Sequence, residues 1–286
     1  MNKDTTFLPF TIKCRKKMHT FSRPVVMGIL NVTSDSFFDG GRYGDEKSVL
    51  DRVGQMLSEG ADIIDIGAVS TRPGGQLLPP DEEAARLVPV VSCVRNRYPD
   101  ALISVDTCYS VPASAAVEAG ADIVNDISGG QFDEAMFPTI ARLQVPYVLT
   151  HTRGTPDRML DNVLYDSLFQ EVCLYFSERL EQLCRLGVSD VVIDPGFGFA
   201  KGLDDNYGLF AQMGELRQLF PRNPLLVGVS RKSMIYKLLE TDPQGALAGT
   251  VALNAQALAL GAQILRVHDV RETVQTVKIL CKLWNS

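Results

Sequence analysis

Eight short runs of β-branched and aliphatic residues, each followed by a longer stretch with apolar residues at helical spacing, limit this chain to folds built on a parallel sheet. The runs fall at 25–32, 62–67, 102–106, 123–127, 146–151, 191–194, 225–229 and 263–267. Four of the joints leading into them share one design, in which a helical segment ends at Gly60, Gly120, Gly187 or Gly261 and a strand begins almost at once. Glycine accepts the left-handed conformation that stops a helix, so these joints predict four C-caps. Eight βα units close most simply into a single-domain α/β fold, the (β/α)8 TIM barrel, over residues 24–286. Residues 1–23 read as a ragged N-terminal extension, partly a β-hairpin. An open doubly wound sheet is the competing arrangement, and it has no single converging face.

The strand ends favour the barrel. Nearly every run finishes on a polar residue: Asn31, Asp65, Asp106, Asn125, His151, Asp194, Ser230 and Arg266. One such residue is an ordinary strand terminus, but a barrel gathers all of them on the face where barrel enzymes place their chemistry. Two βα loops, 33–44 and 68–80, are long and rich in glycine, proline and small polar residues. The first carries Phe37 and Phe38, which can cover an aromatic ligand; the second offers Ser70, Thr71 and Arg72 before Pro73. The last unit places Arg266 and His268 on one side of an extended segment, ahead of a helix that starts near Asp269. A helix N-terminus beside two such side chains is an anion site, and Lys232 at the end of the seventh strand adds a cation. Asp269 and Glu272 have capping-box spacing, which predicts a structural task for both.

Composition removes other classes. A net charge of −6 argues against a protein that neutralises many phosphates of a nucleic acid. No apolar run reaches the length of a membrane span. Six well-separated cysteines, with no CxxC pair, suggest neither a disulfide framework nor a zinc site and fit a reducing cytoplasm. Leu280 and Trp284, on the C-terminal helix, are read as exposed apolar positions that would suit a homodimer.

Nine short signatures then fall in order on these strand ends: MGILNVT at 27–33, DSF at 35–37, DIG at 65–67, STRPG at 70–74, VDT at 105–107, NDI at 125–127, DPGFGF at 194–199, SRKS at 230–233 and RVHDV at 266–270. Together they resemble the motif set of the dihydropteroate synthases, over roughly residues 24–283. The resemblance implies that p-aminobenzoate displaces diphosphate from (7,8-dihydropterin-6-yl)methyl diphosphate, giving 7,8-dihydropteroate. It implies a pterin site at Asp106, Asn125, Asp194, Lys232 and Arg266, and a diphosphate site at Asn31, Arg266 and His268 with Mg2+ held at Asn31. It places p-aminobenzoate among Phe37, Thr71, Arg72, Phe199 and Ser233, with Ser34 at the rim and Asp35 helping Arg72 to order the lids. The catalytic set is then Asn31, Asp35, Lys232, Arg266 and His268.

Some positions depart from the family's usual pattern: Ala68-Val69 for Gly-Glu, Ser34 for proline, Thr150 and Thr152 for methionines, and Cys108-Tyr109-Ser110 for an aromatic-lysine-proline run. Two other readings share the barrel. A corrinoid-dependent methyltransferase would use the pterin carboxylate without the STRPG, SRKS and RVH clusters, and a silent paralogue would bind pterin without turnover.

Overall fold

The computed structural model describes residues 7–32, 43–68, 77–154 and 165–286. Two antiparallel strands, β1 (Phe10–Cys14) and β2 (Lys17–Phe21), precede eight parallel ones: β3 (Val25–Asn31), β4 (Ile63–Gly67), β5 (Leu102–Asp106), β6 (Ile123–Asp126), β7 (Tyr147–Thr150), β8 (Val191–Asp194), β9 (Leu226–Val227) and β10 (Ile264–Val267). The spatial order β8-β7-β6-β5-β4-β3-β10-β9 is closed by a parallel bridge between Ile193 and Leu225. The predicted (β/α)8 barrel is therefore the observed fold. The helices that wrap it are α1 (Tyr43–Glu59), α2 (Pro80–Arg97), α3 (Ser110–Glu118), α4 (Met136–Leu143), α5 (Leu168–Arg185), α6 (Leu203–Ala211), α7 (Met213–Leu219), α8 (Ser233–Tyr236), α9 (Leu247–Ala259) and α10 (Val270–Trp284). The units that begin with β8 and β9 each carry two helices where one was expected.

The predicted glycine C-caps are borne out: Gly60, Gly120, Gly187 and Gly261 have φ of 104°, 117°, 82° and 96°. At these values a side chain would be strained, so each helix stops and the next strand can begin.

Strand parity organises the interior, because successive side chains point to opposite faces. Val26, Ile64, Ile103, Val124, Leu149, Ile193, Val227 and Leu265 join the layer between sheet and helices. Val25, Met27, Ile63, Leu102, Ile123, Val148, Val192, Leu226 and Ile264 point the other way and form a separate cluster inside the barrel. Moving two residues further along six of these strands from that apolar floor reaches Asp65, Ser104, Asn125, Thr150, Asp194 and Arg266, all of the same parity. Chemistry therefore sits directly on hydrocarbon.

The hairpin closes the floor from below. Phe10, Ile12 and Cys14 alternate with exposed residues and pack into the same interior cluster. Arg15 ion-pairs with Asp122, and Gln263 Nε2 donates to the Leu8 carbonyl. The expected hairpin therefore forms ahead of the barrel, and its Phe10, Ile12 and Cys14 belong to the core inside it. Leu280 and Trp284 pack against the core instead of facing outward, and the exposed apolar residues of α10 are Ile279 and Leu283. On a helix, neighbours one position apart face directions about 100° from each other.

Candidate active site

At the C-terminal face of the barrel a cavity of about 490 Å³ is lined by Asn31, Phe199, Lys232, Ser233, Arg266 and His268, all singled out in the sequence. Gly198, Lys201, Asn206, Ser230, Arg231 and Tyr236 complete much of the wall. Asp106, Asn125 and Asp194 are buried and do not line that cavity. Asp35, Phe37, Thr71 and Arg72 fall outside the described residues, as does Ser34.

Arg266 is the hub of the floor. Its Nε donates to Asp65 Oδ2 and its Nη2 to Asp106 Oδ2, both at 2.6 Å. Asp65 Oδ2 also accepts from Asn125 Nδ2 at 3.1 Å. One cation thus serves two carboxylates that are almost wholly withdrawn from water. Burial pushes the Asp106 carboxyl up to about 7, although Arg266 pulls it down and Asp65 pushes it further up. Burial also disfavours the Arg266 cation, but Asp65 and Asp106 outweigh it and raise its pKa. The second oxygens, Asp65 Oδ1 and Asp106 Oδ1, are buried and accept no hydrogen bond within the described residues. Buried acceptors of this kind are costly unless a ligand supplies donors.

Asp65 was not among the expected site residues. It was visible as a polar strand end in a motif, and its shared parity with Asn125 and Arg266 is the signal that marks it as inward.

Two turns carry the rest of the site. After β9 the chain passes through Arg231 at a φ of 56°, and the Arg231 side chain fixes that turn with two bonds to Asp269, Nε to Oδ2 at 2.9 Å and Nη2 to Oδ1 at 2.7 Å. Asp269 consequently makes no side-chain cap for α10, and the capping box predicted with Glu272 does not form. A bidentate guanidinium is the stronger partner. The turn presents Lys232, whose ammonium lies 4.5 Å from the Phe199 ring centroid and donates to the Phe197 carbonyl. Burial lowers the Lys232 pKa to about 8, against the pull of Asp194. Burial raises the Asp194 carboxyl, opposed first by Lys232 and then by the Gly196 N–H, which donates to Oδ1 at 2.8 Å. His268 is held by Ser230, whose Oγ lies 3.1 Å from Nδ1 and accepts from the His268 backbone N–H at 3.2 Å.

The loop after β8 contributes a residue that sequence reasoning passed over. Lys201 is 3% exposed, and burial lowers its pKa to about 7. A lysine after a glycine-rich turn reads as solvated, and nothing local reveals that four acceptors surround it.

The arrangement can hold a flat, hydrogen-bonding heterocycle in its polar depth, an aromatic ring beside Phe199, and an anion near Asn31 and His268. Among the described residues no group of three or more His, Cys, Asp or Glu side chains could hold a metal. Comparisons with known proteins agree with this chemistry. The pterin-binding enzyme family model matches residues 27–268. The dihydropteroate synthase of Streptococcus pyogenes serotype M3 is 42% identical over 262 residues, 90% of this chain and 95% of that one. The Yersinia pestis dihydropteroate synthase, solved with a sulfonamide drug complex, superposes with a TM-score of 0.89 at 40% identity, over 97% of this chain and 100% of that one. The Xanthomonas albilineans dihydropteroate synthase with 4-aminobenzoic acid gives 0.88 at 36% identity, over 98% and 100%.

Proposed function

The chain belongs to the pterin-binding enzyme family and has the dihydropteroate synthase activity named for its relatives, and from that premise we propose which residues carry each part of the reaction. Neither the methyltransferase nor the silent-paralogue reading gains support from those relatives. The observation that carries the assignment of roles is the buried cluster of Asp65, Asp106, Asn125 and Arg266 beneath a cavity edged by Lys232 and Phe199.

A pterin edge presents paired N–H donors. Asp194 accepts them, Asn125 both donates and accepts, and Asp106 offers the acceptor oxygen that has no partner in the described residues. Arg266 uses one N–H on each carboxylate, which leaves three of its five for ligand. Lys232 donates to ring acceptors while its charge balances Asp194. The substrate's methylene C–O bond breaks, the electron pair leaves with diphosphate, and the p-aminobenzoate nitrogen forms the new C–N bond and releases a proton. The aniline is neutral near pH 7, so no strong base is required. The electron-rich pterin spreads the positive charge that develops at the methylene, which makes the displacement dissociative.

Asn31, Arg266 and His268 stabilise charge on the leaving group. Mg2+ is the cofactor we propose. Asn31 supplies a neutral oxygen at the cavity wall, which fits an ion that takes few protein ligands and draws the rest from substrate phosphates. When bound it neutralises charge on the diphosphate. Phe199 and Ser233 form one side of the aminobenzoate pocket; the resemblance assigns Phe37 and Thr71 to the same pocket and the ordering of its lids to Asp35 and Arg72, all four outside the described residues.

No helix among the described residues is long and apolar enough to cross a membrane. The cytoplasm is the proposed compartment, and a homodimer through Ile279 and Leu283 the proposed assembly. The decisive test is diphosphate release with both substrates and Mg2+. Release that requires p-aminobenzoate and collapses in Lys232→Ala and Arg266→Ala supports these roles, and unchanged release in either variant removes that residue.

A further inference from the structure

The eight residues from Pro195 to Gly202 contain three with left-handed backbone: Gly196 at a φ of 69°, Gly198 at 81° and Ala200 at 50°. Ala200 has a Cβ and so occupies this region at a cost. Such a turn keeps its shape only if its surroundings hold it, and two buried side chains do so. Lys201 Nζ lies 2.9 Å from the Gly196 carbonyl, 3.0 Å from the Phe199 carbonyl and 3.0 Å from His151 Nδ1. Its contact with the His151 carbonyl, at 3.4 Å, ties the turn to the end of β7. Asn206, on α6, receives the Gly198 N–H at 2.7 Å and donates to the Lys201 carbonyl at 3.0 Å.

An ammonium has three donors and no acceptor, so it serves a nest of carbonyls where a neutral side chain of equal length cannot. Burial together with the Lys201 charge lowers the His151 pKa well below its ordinary value, which leaves the imidazole free to accept at Nδ1. What the turn presents is the Phe199 ring and the Phe197 carbonyl, and both engage Lys232.

We propose that Lys201 is a positioning residue for p-aminobenzoate: it sets the Phe199 ring and, through the Phe197 carbonyl, the Lys232 ammonium, its own Nζ being engaged by the turn and by His151. This rests on the assignment of Phe199 to the aminobenzoate pocket. Asp65, Asp106, Asn125 and Arg266 are held by one another and not by this turn, whereas Asp194 and Lys232 lean on it through the Gly196 N–H and the Phe197 carbonyl, so pterin affinity is expected to fall by a smaller factor than the KM for p-aminobenzoate rises.

The experiment compares wild type, Lys201→Met and Asn206→Ala by steady-state kinetics in both substrates and by calorimetric titration with the pterin diphosphate. A KM for p-aminobenzoate raised fivefold or more, with pterin affinity lowered by a clearly smaller factor, is the expected result for each variant. Unchanged KM with only a lowered melting temperature would make Lys201 a plain structural residue and overturn the proposal. Parallel loss of both affinities would overturn it as well, since the turn would then support the whole site. Asn206→Ala loosens the same turn while keeping the buried cation, so it decides the matter if Lys201→Met does not fold. Wild type run alongside separates the two readings: absence of turnover there would refute the synthase assignment, whereas the variant pattern bears only on Lys201.

Discussion

Replacing Arg266 by methionine is expected to destabilise the fold by an amount that grows with pH. The guanidinium contacts two buried carboxylates at 2.6 Å, and its own side chain is 15% exposed. Removing one partner of such a group costs about 3–5 kcal/mol when the charges left behind stay ionised. Protonation can relieve that cost. In the wild type Asp106 has its pKa raised from 3.8 to about 7, so the folded state holds this proton more tightly than the unfolded chain. The stability this contributes is fully present below the unfolded pKa and is lost as pH rises through about 7. Arg266 is the largest influence lowering that pKa, so its loss moves the folded value higher still. The variant is then shielded by protonation at pH 6 and less so at pH 8. With one pKa unit worth about 1.4 kcal/mol, the deficit relative to wild type should widen by about 1 kcal/mol across that interval. At about 2 °C per kcal/mol for a domain of this size, the melting temperature should fall by about 6–10 °C at pH 8 and by less at pH 6. Calorimetric melting and urea midpoints of both proteins at the two pH values measure this. An equal deficit at both, a larger one at pH 6, or no loss at all would refute the picture of two carboxylates compensated by one cation.

Lys232, with its pKa lowered by burial to about 8, should impose a falling limb on kcat/KM above about pH 8. Lys232→Arg, which stays charged, should be slower but lack that limb, as a pH–rate profile will show. Gly196→Ala should lose more than about 3 kcal/mol by urea denaturation, because its φ is 69° and an added Cβ would lie 2.0 Å from the His151 carbonyl oxygen. Deleting residues 1–22 should strip Phe10, Ile12 and Cys14 from the barrel floor, leaving a product that binds hydrophobic dye and melts without a sharp transition.

Much of this molecule is written locally. Alternation along each strand fixed which residues face inward, and the glycines at 60, 120, 187 and 261 fixed where helices stop, because both effects act over a few bonds. The polar strand ends therefore announced a site, and Asn31, Lys232, Ser233, Arg266 and His268 line its cavity as expected. The partners of those residues were not legible. Arg266 reaches Asp65 and Asp106 across separations of 201 and 160 residues, a meeting that exists only once the sheet has closed. Asp269 carries a capping signature, yet closure brings it the Arg231 guanidinium, and a two-bond ion pair displaces a local cap. Lys201 follows an ordinary glycine-rich turn, and the approach of β7 adds the His151 acceptors that, with two carbonyls of the turn, complete a buried clamp. The sequence by itself determined the barrel, its polar face and the residue types gathered there, since these follow from period and local conformation. Tertiary structure alone decided which charges compensate one another, because that depends on distances across the barrel that no local rule contains.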